Sequence, residues 1–366
     1  MFSLDFGDWV VNGEAALHLQ QTRIISMLTY LDSQFGLWLG MATTFVFIAK
    51  ADKMIYCVQS LGKSMSHFGM ASAENHRRRK VALAWVLITA LALFSLFRGI
   101  YGIWEAAGSP STFWTPRSYF LWQVPSGIVA IILRTFFFIS EVSALPIYVV
   151  FIFVCAKFTD CFEALTAEIR TLLDDLQART LDGPLFLTKL KTLSLKEVTL
   201  TQALIDLDQC FALQVLFFVI DNSLGVFSKI AKCFVYSAFT SDMDYVKFAL
   251  KGFMYVAALG LTTVFPAILH ESSARSITLW QRLIAVRQEQ RETYCPEEGE
   301  VLITLLQRTT ARQHSLTVAG IATLTRSFGV TLLLGFAGFT CFLIDRAENY
   351  RMDDELSENI TCACLG

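Results

Sequence analysis

The chain has 366 residues, 54% of them hydrophobic and only 17% charged, with a net charge of −2 and a mean hydropathy of +0.50. Soluble domains average about 45–50% apolar and about 25% charged residues, so this balance speaks against a water-soluble fold and for a polytopic membrane protein. No basic stripe interleaved with aromatics marks a nucleic-acid binder, and the nine cysteines show no C-x-x-C spacing of the zinc and redox motifs.

The N-terminal MFSLDFGDWVVNGE has no basic stretch ahead of an apolar one, so it is not a signal peptide. Residues 1–31 read as an extracellular N-terminal segment. A helix needs about 20 apolar residues to cross the hydrocarbon core. Candidates stand at 32–50 (DSQFGLWLGMATTFVFIAK), 81–104, 118–158, 211–239, 247–269 and 325–345. The stretch 118–158 is long enough for two crossings, with Pro125 and Pro146 as breakers. The stretch 211–239 is the weakest, because Asp221, Lys229 and Lys232 interrupt it.

Between these, residues 159–210 are polar with a helical period. Phe162, Leu165, Ile169, Leu172, Leu173 and Leu176 recur at steps of three and four, Asp182-Gly183-Pro184 marks a turn, and Leu190, Leu193, Leu195, Val198, Leu200, Leu204 and Leu207 resume the pattern. Such helices are too polar to span and too apolar to float free, so they are expected to pack on each other below the membrane or between subunits.

Loop charge sets the orientation. The loop 50–80 holds Lys50, Lys53, Lys63 and Arg77-Arg78-Arg79-Lys80; the loop 271–315 holds Arg275, Arg282, Arg287, Arg291, Arg308 and Arg312. Both read as cytoplasmic, and the short, Lys- and Arg-poor connections at 105–117 and 240–246 read as outer. The acidic tail 346–366 carries the glycosylation sequon Asn359-Ile360-Thr361, which works only outside. These assignments agree only if 118–158 crosses once. The expectation is therefore six visible spans with both ends outside, which implies a missing preceding span or a poor substitute for it in residues 1–30.

The order of features resembles a known family. A basic loop precedes a span, and a long helix leads to a cytosolic linker. LSLKEVTLTQALIDLDQCFALQVLFF then runs into the next span, followed by AILHESSARSITLW and the terminal FGVTLLLGFAGFTCFLID. This resembles the insect gustatory receptors and their odorant-receptor relatives over residues 50–348, most specifically over 196–220 and 315–345. The resemblance implies an all-α polytopic membrane protein, with six visible transmembrane helices of a seven-helix receptor-channel fold. Residues 32–158 would be the ligand-sensing part, 159–210 a cytosolic helical linker or anchor region, 211–345 the remaining spans with the pore helix at 325–345, and 346–366 an extracellular tail. It also implies a homo- or hetero-tetramer with related subunits in the plasma membrane, gated by a small organic ligand and passing cations without selectivity, with membrane lipid around it and no cofactor. The family's last span ends in Thr-Tyr, five apolar residues and Gln-Phe. Here Thr340 matches and Gly320 stands twenty residues upstream. Cys341 replaces the Tyr, Ala347 and Glu348 replace Gln-Phe, and Asp345 intrudes among the apolar five.

What the resemblance implies for the last span is a pore face with its narrowest point at Ile344 and continuing to Ala347; helical spacing extends that face back through Thr340 and Ala337. An apolar ring gates by dewetting. The residue pattern itself selects a neighbouring face of Ser327, Thr331, Gly335, Gly338, Cys341 and Asp345. Thr331, Gly335 and Gly338 suit close helix packing, and Asp345, near the outer end, meets water, a cation or Arg346. The resemblance places the ligand pocket in the outer half, where Tyr101, Trp104, Tyr119, Trp122 and Gln123 supply aromatic walls with polar tips or an interfacial belt. Arg134 and Glu141, seven apart, pair with each other or floor that pocket. No enzyme constellation survives: His270-Glu271 stands alone, and no GxxxxGKS, GxSxG or GxGxxG occurs. The competing readings are a G-protein-coupled receptor, which requires a cytosolic C-terminus, a transporter, which requires inverted repeats, and a truncated, non-conducting relative.

Overall fold

A computed structural model of the chain describes residues 38–67, 86, 89, 127–180, 182–233, 242–289, 296–311 and 315–364. Nearly all of the expected span at 81–104 and the start of 118–158 lie outside these residues. α1 (Trp38–Ala49) runs into α2 (Ala51–His67) through Lys50, whose amide bonds the Val46 carbonyl at 3.0 Å while its own carbonyl accepts from Met54. Then come three long helices, α3 (Gly127–Gln177), α4 (Gly183–Cys233) and α5 (Asp242–Glu289), of 51, 51 and 48 residues. At 1.5 Å per residue each is about 70 Å long or more, over twice the hydrocarbon thickness of about 30 Å.

Each long helix therefore has an apolar half and a polar half. Residues 159–210, expected as a helical linker, form the end of α3 and the beginning of α4. Likewise, the expected loop 271–315 is largely helical: α5 continues to Glu289 and α6 (Pro296–Ala311) follows. Pro146 does not break α3, nor does Pro266 break α5. A proline removes one amide from the ladder, and a helix packed along its length tolerates that. From Gly127 onward α3 is a single helix, and residues 118–126 of the expected span lie outside the described residues.

The α3–α4 turn falls at the Asp182-Gly183-Pro184 signal. Arg179 takes a left-handed φ of 53°, its amide bonds the Leu176 carbonyl at 3.2 Å, and the Thr180 amide bonds the Asp175 carbonyl at 3.2 Å. This is a Schellman C-cap with arginine in the position that usually holds glycine. The Phe186 amide bonds the Asp182 carbonyl at 2.9 Å, which makes Asp182 the N-cap and puts Pro184 in the first turn, where no amide is missed.

The core of the polar half is the predicted stripe. Phe162, Leu165, Ile169, Leu172, Leu173 and Leu176 of α3 are all buried, together with Phe186, Leu190, Leu200, Leu204 and Leu207 of α4, Trp280 and Leu283 of α5 and Leu305 of α6. Leu195, placed on the same stripe by its spacing, is instead 69% exposed. Arg287 and Glu298 close the far end as a buried bidentate pair, Nε to Oε1 at 2.5 Å and Nη2 to Oε2 at 3.2 Å, with the guanidinium 5.3 Å from the Phe186 ring.

A hairpin of β1 (Thr317–Val318) and β2 (Ala322–Thr323) leads into α7 (Arg326–Cys364). Its turn has positive φ at both Ala319 (52°) and Gly320 (74°), with the Ile321 amide on the Val318 carbonyl at 2.9 Å, the signature of a type I′ turn. Gly320 is where the turn needs a residue without Cβ. Most of the tail expected at 346–366 is a continuation of α7. Among the described residues, α4, α5 and α7 each contain a stretch long and apolar enough to cross a membrane, and the fold is an all-α, multi-pass one.

Candidate functional site

The last helix is the candidate site, and its packing is unlike that of the other helices. In the apolar 18-residue stretch of α7 only 6% of residues are buried, against 50% and 39% in the corresponding stretches of α4 and α5. It meets the bundle along one seam. Phe336 is buried, and the Phe227 ring of α4 lies edge-on to both Phe336 and Phe339, at 4.9 Å in each case. Phe328 and Leu332 extend that seam.

At about 100° per residue, the two candidate faces can be placed relative to Phe336. Ser327, Gly338, Cys341 and Asp345 lie about 140–200° from it, on the side turned away from the bundle, and all four are exposed. Thr331 and Gly335 flank them and are exposed too; no described atom lies within 4 Å of a Cβ built on Gly335 or Gly338. The Thr331 hydroxyl donates to the Ser327 carbonyl of its own helix at 2.9 Å. These residues thus pack on none of the chain's own described helices. Ala337 and Ile344, the latter 42% exposed, stand about 80–100° from the seam. Thr340 is half-buried beside the seam and donates to the Phe336 carbonyl at 2.8 Å. Ala347 and Asn359 lie on the α7 backbone, with side chains outside the described residues.

Two attachments fix where α7 begins. Arg326 makes a bidentate pair with Glu271 of α5, through Nε to Oε1 and through Nη2 to Oε2 at 2.6 Å. The hairpin just ahead of it docks on α4. Asp208 accepts the Thr317 amide at 2.6 Å and the Thr317 hydroxyl at 2.9–3.0 Å, that hydroxyl accepts the Gly320 amide at 3.0 Å, and the Ala319 amide donates to the Ala212 carbonyl at 3.0 Å. Leu316, Val318 and Leu324 are buried beneath it. Burial pushes the Asp208 carboxyl above the usual carboxylate range, and the Thr317 hydrogen bonds pull the other way.

Of the expected pocket residues, Tyr101, Trp104, Tyr119, Trp122 and Gln123 lie outside the described residues. Arg134 and Glu141 sit on α3, but their side chains are not among those described. What sequence reasoning missed is a polar node joining the apolar halves of α3, α4 and α5. Asn222 donates to the Tyr148 hydroxyl at 2.5 Å and to the Phe218 carbonyl at 2.6 Å, Phe218 stacks on Tyr148 at 3.7 Å, and Asp221 and Thr262 adjoin the same hydroxyl. The signal was the polar pair Asp221-Asn222 inside an apolar run, taken only as an interruption. Lys229, another of the interrupting residues, is buried with its ammonium 5.8 Å from the Phe248 ring centre. A groove of about 340 Å³ opens in the polar half between Glu168, Thr171 and Leu172 of α3 and Thr188, Lys189, Thr192 and Leu193 of α4.

Two solved structures share this architecture. The structure of the insect olfactory receptor OR5 from Machilis hrabei in complex with eugenol matches with a TM-score of 0.54 and 11% identity, covering 91% of this chain and 100% of that one. A second structure of the insect olfactory receptor OR5 from Machilis hrabei matches with a TM-score of 0.51 and 10% identity, covering 91% and 99%. No protein-family model and no curated protein matches the chain.

Proposed function

We propose that the chain is one subunit of a chemosensory, small-molecule-gated, non-selective cation channel, in which copies of α7 surround the pore. The supporting observation is the outward face of α7: a helix able to span a membrane, hardly covered by its own chain, presents Ser327, Thr331, Gly338, Cys341 and Asp345 away from the bundle. Small and polar residues spaced along one face suit the close approach of another subunit's helix, and Asp345, at the end of the apolar stretch, suits water or a cation, so this face fits a water-filled lumen or another subunit better than lipid. The resemblance to gustatory and odorant receptors, and the fold shared with an olfactory receptor, support a tetramer as that assembly.

In this arrangement Ile344 forms the apolar constriction that gates by dewetting. Ala337, Thr340 and Ala347 continue its face, and Asp345 concentrates cations at one mouth. Thr331, Gly335 and Gly338 let the neighbouring subunit's helix approach. Tyr101, Trp104, Tyr119, Trp122, Gln123, Arg134 and Glu141 make up the pocket for a small organic ligand, tastant-like in class, whose binding favours the open state. The polar halves lie in the cytosol as the anchor region and Asn359 lies outside. The test is recording from the purified chain in planar bilayers, with eugenol and a panel of small organic molecules. Cation current is expected, together with a raised resting open probability in Ile344→Ala. Silence of both proteins across the panel would remove the channel reading.

A further inference from the structure

The helix that would form the pore is held at its start by the Arg326–Glu271 pair on α5 and by the hairpin ahead of it, which docks on one segment of α4. Residues 208–212, where α4 passes from its polar to its apolar half, receive the hairpin on one side through Asp208 and the Ala212 carbonyl. The same segment receives Lys50 from the α1–α2 junction, whose ammonium donates to the Gln209 carbonyl at 2.7 Å and the Cys210 carbonyl at 3.5 Å. From Thr317 the chain needs only the hairpin to reach Arg326, the first residue of α7, and its clamp on Glu271. We infer that the Asp208–Thr317 latch, with Lys50 on the same turns of α4, is the transmission joint that couples the first described helices to the last one. Asp208, Thr317 and Lys50 are positioning residues in this joint: they touch neither ligand nor ion, and they fix where α7 starts.

The chemistry favours a latch over a passive loop. Thr317 gives both its donors to one carboxylate, and its hydroxyl also holds the Gly320 amide across a turn whose two central residues have positive φ. The hairpin's shape and its attachment therefore share a single side chain. Because the seam at Phe336 is narrow, a shift of the hairpin moves the α7 N-terminus with few other contacts opposing it.

The inference rests on the channel reading for its consequence but not for its test. Hydrogen–deuterium exchange is measured on the full chain in phosphatidylcholine nanodiscs, over peptides covering 316–330. Each hydrogen bond to a charged acceptor is worth about a tenfold shift in a local opening equilibrium. Thr317→Val is expected to speed exchange by that factor, not only in the hairpin but through the first turn of α7. Thr317→Ser, which keeps the hydroxyl, is expected to restore wild-type exchange, and Lys50→Met to speed exchange in the same peptides although it does not touch them. If residues 326–330 exchange alike in Thr317→Val and wild type, or if the serine variant behaves as the valine one, the joint is wrong. Bilayer recording of the same proteins separates the two claims. Coupled exchange without current overturns only the channel reading, and current with unaltered exchange overturns only the latch.

Discussion

The polar half of the bundle and the last helix are made from similar material and held in opposite ways. In the polar half, α3, α4, α5 and α6 bury a continuous apolar core and close it with a buried ion pair. The membrane-length stretch of α7 leaves most of its residues exposed, touches the other described residues through an aromatic seam, a hairpin and one exposed ion pair, and faces outward with glycines and an aspartate. A single chain completes the first region. The second makes physical sense only as a surface awaiting lipid, water or further copies.

The sharpest way to break this contrast uses the same chemistry in both places. Arg287–Glu298 and Arg326–Glu271 are each arginine–carboxylate forks, yet the side chains of the first are 11% and 3% exposed and those of the second 72% and 26%. Removing one partner of a buried pair leaves an uncompensated charge, so Glu298→Ala is expected to cost about 3–5 kcal/mol. Removing one partner of a surface pair costs about 0–1 kcal/mol, so Arg326→Ala is expected to leave the unfolding midpoint nearly unmoved. Denaturant unfolding of the detergent-solubilised chain measures both. Equal losses would mean that the two regions are equally well held.

Two glycines sharpen the contrast at the scale of a methyl group. A Cβ on Gly225 of α4 would sit 2.5 Å from the Tyr255 ring, whereas one on Gly335 meets no described atom. Overpacking costs about 1–3 kcal/mol, so Gly225→Ala is expected to destabilise the chain by that much. In a helix interior alanine is favoured over glycine by about 1 kcal/mol, so Gly335→Ala is expected to leave the monomer as stable as before or slightly more so. Any defect in the second variant should then appear in assembly, read by native mass spectrometry, and not in folding. A Gly335→Ala monomer that unfolds as easily as Gly225→Ala would show that α7 packs within its own chain.

What the sequence revealed and what it hid follow the same division. The stripe from Phe162 to Leu176 was readable because a helix buried on one face repeats its apolar residues every three or four positions. The turn at Asp182-Gly183-Pro184 was readable because its chemistry is local. Leu195 fits the stripe by spacing and is exposed, because the spacing of one helix does not say where its neighbours stop. The Asp208–Thr317 latch was invisible, since it joins residues 109 positions apart through strands two residues long, too short for any alternation. On α7 the sequence marked two faces but not which one meets the bundle: phenylalanines and small residues are equally at home in an apolar run, and the choice depends on Phe227, far away in the chain.

The smallest expected effect concerns two carboxylates of the polar half whose environments differ in the same sense as the two regions do. Glu297 is exposed, and the hydrogen bond and charge of Lys191, 2.8 Å away, hold its carboxyl below the usual value of 4.5. A depressed folded-state pKa contributes stability that is present above the unfolded value and is lost as pH falls through the folded one. Asp208, half-enclosed beneath the hairpin, is raised from 3.8 chiefly by burial. Its contribution is present below the unfolded value and is lost as pH rises through the folded one. Acidification should therefore narrow the difference in unfolding midpoint between wild type and Glu297→Gln, and widen that between wild type and Asp208→Asn in favour of the wild type. Thermal melts of the three proteins between about pH 3 and about pH 7 span both carboxylate ranges. If both differences move in the same direction, then burial at Asp208 is outweighed by its Thr317 hydrogen bonds, and the carboxylate under the hairpin behaves like the one in solvent.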